Sequence, residues 1–365
     1  MKKLTVLLLA ITLVLGAGCV GGDTFKAVDA ATREDLLAFL ATAALGGRGD
    51  NTIIVDGEIS SDMVSEVSGH ISGSADGAEM VSLGFYDGKV VEVARCDVSA
   101  EGKWGPLTLV NGPKALVLLK GEETMGYYVD QPRFAADLTA GLKYAGYRVN
   151  PLDTGLVALA LVKGGKLQEA ADLLAGLQRI HRLHSGLPVR VDVFGNALGE
   201  EVDYTATAWA GYAAAVLART ASDNADIWNE AKAYASYLEG IDPPPVAETR
   251  LGGWLLFTEL SKKESAYGQL ADKWQPEAGE EYDPLVGTWM LLAKGKAKDY
   301  ADPDYQPVSA TDRWIHYNLL AALKKVPVEL DLATAEVPGG RAVIEEGRAS
   351  LQATSWMVIA LMGGL

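Results

Sequence analysis

The chain has 365 residues, 49% of them hydrophobic and 22% charged, which excludes a disordered chain and a disulfide-stapled miniprotein. With 32 Lys+Arg against 48 Asp+Glu the net charge is −16, a surface that repels phosphate backbones and argues against nucleic-acid binding. Two cysteines build neither a disulfide framework nor a cysteine-based zinc site.

The amino terminus reads as an address. Met1-Lys2-Lys3 is followed by the apolar run Leu4 to Leu15 and then by Gly16-Ala17-Gly18-Cys19. A basic start, an apolar stretch too short to span a bilayer and small residues before a cut site make a secretory signal over residues 1–18. Cysteine directly after the small residues resembles the lipobox of lipoproteins, which implies a lipid anchor on Cys19 and an extracytoplasmic, membrane-anchored protein. Plain secretion, with Cys19 incidental, fits the same residues. Residues 19–28 then form a tether.

Residues 29–148 read as a small α+β module. Ala30 to Leu45 is predicted helical, with Thr32 and Asp35 placed as a capping pair. Thr52 to Val55 is a strand, and Ser61 to Ile71 is assigned to a helix on the spacing of Val64, Val67 and Ile71. Met80 to Tyr86 and Lys89 to Cys96 flank Asp87-Gly88, a hairpin signal because that pair supplies the positive φ angles of a two-residue turn. Cys96 is expected to act as a small buried hydrophobe. Ala115 to Leu119 is a strand paired with Gly126 to Val129, and Phe134 to Tyr144 is helical.

From residue 149 to 365 the strands largely stop. Apolar helical segments start near Asp153, Asp203, Arg250, Asp283, Asp312 and Glu346, several of them apolar nearly all round, as a helix buried on every side would be. Between some of them lie amphipathic helices, Lys166 to His181 and Ala225 to Glu239. Such alternation suits hairpins that close into a ring, giving the predicted fold class: mainly α, an α/α toroid with about six inner helices, preceded by the α+β module. Outer helices between residues 294 and 345 are not evident.

Three local patterns accompany this alternation: Leu183-His184-Ser185-Gly186-Leu187-Pro188, the helix start Asp203-Tyr204-Thr205-Ala206-Thr207-Ala208-Trp209, and Glu345-Glu346-Gly347-Arg348-Ala349-Ser350-Leu351-Gln352. Together they resemble the six-hairpin glycosidase superfamily over residues 151–365, with Arg348 standing where that family has threonine. The resemblance implies a carbohydrate site at one mouth of the ring, where two carboxyl groups flank the scissile bond. Asp203, Glu346, Asp153 and Asp283 are the candidate catalytic acids, with Asp312 and Glu345 also in position. Trp209, Trp254, Trp289, Trp314, His316, Tyr317, Arg348 and Gln352 are the candidate sugar contacts.

Each of these residues also has a structural reading. Aspartate before a helix caps it, and Asp283-Pro284 fits that role especially well. The tryptophans, including Trp356, also suit a ring core, and His316 suits a satisfied core position. His181 and His184 are expected to offset a helix C-terminal dipole. No phosphate loop, zinc-protease motif or nucleophile elbow is present, so no cofactor or metal is expected. The rival to a glycan-acting enzyme is a non-catalytic binding or scaffold lipoprotein of the cell envelope.

Overall fold

A computed structural model describes residues 28–44, 52–56, 65–72, 76–86, 89–111, 114–121, 123–129, 150–191, 195–221, 224–279, 281–295, 302, 304–323, 333–337, 340–345 and 348–365. The signal, Cys19, Asp87-Gly88, the helix expected at Phe134 to Tyr144, and Glu346 lie outside these residues. The described chain is mainly helical, with small antiparallel sheets. None of its helices is long and apolar enough to cross a membrane.

Residues 52–129 form two antiparallel sheets. β1 (Thr52–Val55), β2 (Glu66–Ser72) and β5 (Lys103–Thr108) form one sheet in the order β1-β2-β5. The second, ordered β4-β3-β6-β7, contains β3 (Glu79–Tyr86), β4 (Lys89–Asp97), β6 (Lys114–Lys120) and β7 (Glu123–Val129). The predicted hairpin is present with Tyr86 opposite Lys89, and Ala115 pairs with Val129 as expected. Cys96 is half-buried in β4, beside a core of Ile53, Val67, Ile71, Met80, Trp104, Leu107 and Leu118, and burial pushes its thiol pKa up.

The helix assigned to Ser61 to Ile71 is a correction, because residues 66–72 form β2. Val67, Gly69 and Ile71 are buried while Glu66 and His70 are exposed. Two apolar residues four apart satisfy both the helical and the strand period, and sheet pairing decides between them.

The helices are α1 (Ala30–Ala44), α2 (Pro151–Lys163), α3 (Leu167–His184), α4 (Tyr204–Thr220), α5 (Ala225–Glu239), α6 (Ala247–Ser261), α7 (Tyr267–Lys273), α8 (Pro284–Lys294), α9 (Ala310–Ala322) and α10 (Leu351–Leu361). Six of them pack in a cycle: α2 on α4, α4 on α6, α6 on α8, α8 on α9, α9 on α10, and α10 back on α2. Small residues allow the close approach. A Cβ at Gly155 of α2 would lie 3.2 Å from the Ala210 nitrogen of α4, and one at Gly252 of α6 would lie 3.1 Å from the Ala208 Cβ. α4 is buried from Ala206 to Ala218 on every side, as its alanine-rich, unpatterned sequence requires.

The six helices run in the same direction. At one end the Thr205 and Thr249 hydroxyls lie 2.6 Å apart, joining the first turns of α4 and α6. Glu345 there accepts from the Ala310 N–H of α9 (2.9 Å) and from the Ser350 hydroxyl that caps α10 (3.1 Å). At the other end Lys163, closing α2, donates to the Gly364 carbonyl just past α10 (2.8 Å), and Arg219 of α4 pairs with Glu259 of α6.

α3 lies outside α2 and α4, α5 outside α4 and α6, and α7 against α6. Where no outer helix was evident, a three-stranded sheet packs on α9 and α10. It is ordered β10-β9-β8 and built from β8 (Thr334–Val337), β9 (Gly340–Glu345) and β10 (Arg348–Ser350). Strands therefore recur after residue 150, contrary to expectation, and the last helix starts at Leu351 rather than near Glu346.

Assigned by sequence to the amino-terminal module, α1 instead packs on α2, α10 and β9. Leu36, Leu37, Phe39 and Leu40 are buried in the helical core, and Lys166 before α3 pairs with Glu34 of α1. The cap of α1 is Asp29, which accepts from the Thr32 N–H at 2.7 Å, not the Thr32/Asp35 pair. Because Leu40 is wholly buried there, Leu40→Ala should destabilise the helical body by about 2–5 kcal/mol. Denaturant unfolding followed by tryptophan fluorescence checks this, since Trp209, Trp254, Trp289, Trp314 and Trp356 all lie in that core. An unchanged transition would detach α1 from it.

Candidate functional site

Parallel helices bring their unpaired N–H groups to one mouth, and the sequence supplies acceptors for them. Asn150 caps α2, accepting from the Leu152 N–H at 3.0 Å, so Asp153 sits inside the first turn rather than before it. Asp203 Oδ1 caps α4 through the Ala206 N–H (3.0 Å), and Asp283 Oδ1 caps α8 through the Leu285 N–H (2.8 Å). Ser309 Oγ accepts from the Asp312 N–H at 2.9 Å, leaving the Asp312 carboxylate to other partners. α6 differs: it follows Val246, which offers no side-chain cap, and it carries Glu248 in its first turn.

Glu248 is the acid that the sequence reading missed. It stands before Arg250, where the helix was thought to start; the run Pro243-Pro244-Pro245, which ends the preceding segment, was the available signal for an earlier start. Its Oε1 is fully buried and has no hydrogen-bond partner. Burial first, and then the charges of Asp203 and Asp283, push its pKa up to about 7. The α6 N-terminus favours the ionised form, but a helix dipole contributes only about 0.3–1 kcal/mol, less than a shift of this size implies. The carboxyl therefore titrates near neutral pH, within the field of two capping aspartates.

A cavity of about 770 Å³ opens at this mouth, lined by the starts of α6, α8 and α9 and by the segments that precede them. Asp283, Asp312, Glu277 and Glu281 contribute carboxylates, Arg250 a guanidinium, and Tyr282 and Tyr305 aromatic walls. The two tyrosine rings lie 4.8 Å apart between centroids. Asp312 Oδ2 accepts from the Tyr305 hydroxyl and from the Val308 N–H, both at 2.9 Å. The Tyr282 hydroxyl is 2.9 Å from His316 Nδ1, and burial lowers the pKa of that imidazole. The Tyr305 phenol is pushed up to about 12, by burial and then by its hydrogen bond to Asp312 and the charges of Asp312 and Asp283.

The predicted sugar contacts are placed differently. Trp209, Trp254, Trp289, Trp314 and Trp356 are buried in the core and absent from the cavity wall, with Trp209 packed edge-on against Trp356 at 5.3 Å. His316 is buried behind Tyr282 and Tyr305, and Tyr317 lies edge-on to Trp314. Gln352 is half-buried in the first turn of α10, and the backbone of Arg348 pairs with Glu345. Of the predicted acids, Asp283 and Asp312 line the cavity, and the charge of Asp203 acts on Glu248.

His181 is not the dipole-offsetting cation expected. Burial and Arg182 lower its pKa, and it packs edge-on against Tyr234 at 4.7 Å.

No protein-family model and no curated protein matches the chain. Among solved structures, a family 76 glycoside hydrolase from a bovine Bacteroides thetaiotaomicron strain is similar, with 12% identity over 76% of this chain and 72% of that one and a TM-score of 0.31. A likeness at that level fixes neither fold nor activity.

The raised Glu248 pKa has a stability signature. A carboxyl with a folded pKa near 7 and an ordinary unfolded value near 4.5 costs stability as pH rises through that window, because the folded state then binds more protons. Glu248→Gln should match the parent near pH 4 and exceed its stability by up to ~3 kcal/mol above pH 7. Urea unfolding across pH checks this, and parallel curves at all pH values would contradict it.

Proposed function

We propose that the cyclic helix packing is an α/α toroid and that its acidic mouth binds carbohydrate and hydrolyses a glycosidic bond. The observation that carries this reading is Glu248: a carboxyl whose pKa is pushed up to about 7, within the field of two capping carboxylates, in the helix turn whose Ala247 and Arg250 line an aromatic-walled cavity. Glycoside hydrolysis needs such a division, one carboxyl protonated as acid and one ionised as base or nucleophile. In this reading Glu248 gives its proton to the leaving oxygen and Asp283 acts from the cavity wall on the anomeric carbon or on its water. Tyr282 and Tyr305 offer flat apolar faces to the C–H side of a pyranose. The amino-terminal signal and Cys19 support an extracytoplasmic, lipid-anchored location.

A second reading is a non-catalytic envelope receptor, favoured by the use of Asp203 and Asp283 as helix caps. The two can be separated because asparagine caps a helix as well as aspartate does. Asp283→Asn should leave thermal stability within about 0.5 kcal/mol and lower hydrolysis of a responsive oligosaccharide by at least about 100-fold. Glu248→Gln should do the same to turnover while preserving binding. A sugar that binds to the parent and both variants without cleavage would establish the receptor.

A further inference from the structure

We propose that His316 is a positioning residue of the mouth cavity: buried in α9, it holds the ring of Tyr282, and with Asp312 one turn earlier it fixes both aromatic walls to a single helix. What the walls receive rests on the carbohydrate reading above; how they are held rests on the side-chain geometry alone.

The two walls come from different connecting segments. Tyr282 stands just before α8 and Tyr305 in the segment before α9, both outside any helix or strand. A side chain on such a segment takes no orientation from a helical or sheet register, so its direction is set by a tie to something rigid. α9 supplies both ties. The Tyr305 hydroxyl donates to Asp312 Oδ2 at 2.9 Å, and the Tyr282 hydroxyl lies 2.9 Å from His316 Nδ1. Residues four apart share a face of a helix, so one face of α9 meets both phenols. The imidazole also packs on both rings, its centroid 5.7 Å from that of Tyr282 and 5.2 Å from that of Tyr305.

His316 is the informative member of this group. It is only 2% exposed and is not part of the cavity lining, so it reaches a ligand only through the tyrosines. A leucine or phenylalanine would fill a buried place in α9 without the cost of burying two ring nitrogens. That cost is offset where the imidazole finds a polar partner, and the partner here is a wall of the cavity. Burial lowers the imidazole pKa, so the ring is uncharged at neutral pH and pairs with the hydroxyl without adding charge behind the wall. With its hydroxyl directed at a residue outside the lining, Tyr282 offers the cavity its ring, the part that packs on an apolar sugar face.

The test uses the full-length chain with isotopically labelled tyrosine ζ carbons, whose NMR shifts report the hydrogen bonding of the hydroxyls they carry; Tyr282→Phe assigns the Tyr282 signal by its loss. That signal should move in His316→Leu and return close to its parent position in His316→Asn, whose amide stands where Nδ1 does. The same variants are titrated with neutral tetramers of glucose and of N-acetylglucosamine. A tetramer that the parent binds should bind about 10-fold more weakly to His316→Leu and to Tyr282→Phe, no more weakly to the double variant, and nearly normally to His316→Asn. A histidine that only fills the core would lower the melting temperature in His316→Leu and leave the Tyr282 signal in place, which would overturn the proposal. Losses that add in the double variant would overturn it as well. If the parent binds neither tetramer, that counts against the carbohydrate reading, and the ζ-carbon signal alone decides the positioning.

Discussion

Six helices that run the same way around a closed cycle must leave six sets of unpaired backbone N–H groups at one mouth. The rest of the molecule follows from how that requirement is met. Short polar side chains, Asn150, Asp203, Asp283, Ser309 and Ser350, accept those N–H groups. Two of them are carboxylates, and α6, which has no side-chain cap, carries Glu248 instead. Capping thus concentrates negative charge where helix dipoles already make it welcome, and burial, together with the charges of Asp203 and Asp283, raises the Glu248 carboxyl. Structural demand and site chemistry share the same atoms here.

The opposite mouth carries the complementary charge. Lys163, Arg219, Lys262 and Lys294 stand at or just beyond the C-terminal ends of α2, α4, α6 and α8, where exposed carbonyls favour cations. Arg219 and Lys262 share the buried Glu259, and Lys294 lies over the Trp289 ring at 4.4 Å. Burial and Arg219 lower the Lys163 pKa to about 8, the mirror image of Glu248 at the acidic end. The helix cycle is therefore polarised along its axis.

Much of this was legible in the sequence, because periodic burial is written in apolar spacing. The six helices of the cycle, two amphipathic outer helices and the β3/β4 hairpin all carry strong local patterns. The sequence was silent wherever only a distant partner decides. Val67 and Ile71 suited a helix as well as the strand that pairing with β1 and β5 imposes. α1 looked local to the module that follows it, although it packs against α2, α10 and β9 far along the chain. β8 to β10 follow a stretch in which no outer helix was evident. At the site, Asp283 was visible because Asp-Pro is a strong helix start. Glu248 was hidden by a helix start set three residues late, and Tyr305 by a loop with no period. The tryptophans left two readings open, because large aromatics serve a helical core and a sugar platform equally well, and burial places Trp209, Trp254, Trp289, Trp314 and Trp356 in the core.

The central claim is that one carboxyl at the acidic mouth keeps its proton near neutral pH. Difference infrared spectroscopy of the carboxyl C=O band, with Glu248→Gln as the blank, measures that proton directly. The structure predicts a Glu248 band that persists through pH 6 and disappears with a midpoint at about 7. A band lost with a midpoint near 4.5, the ordinary value for glutamate, would contradict the account and remove the acid on which the proposed chemistry depends.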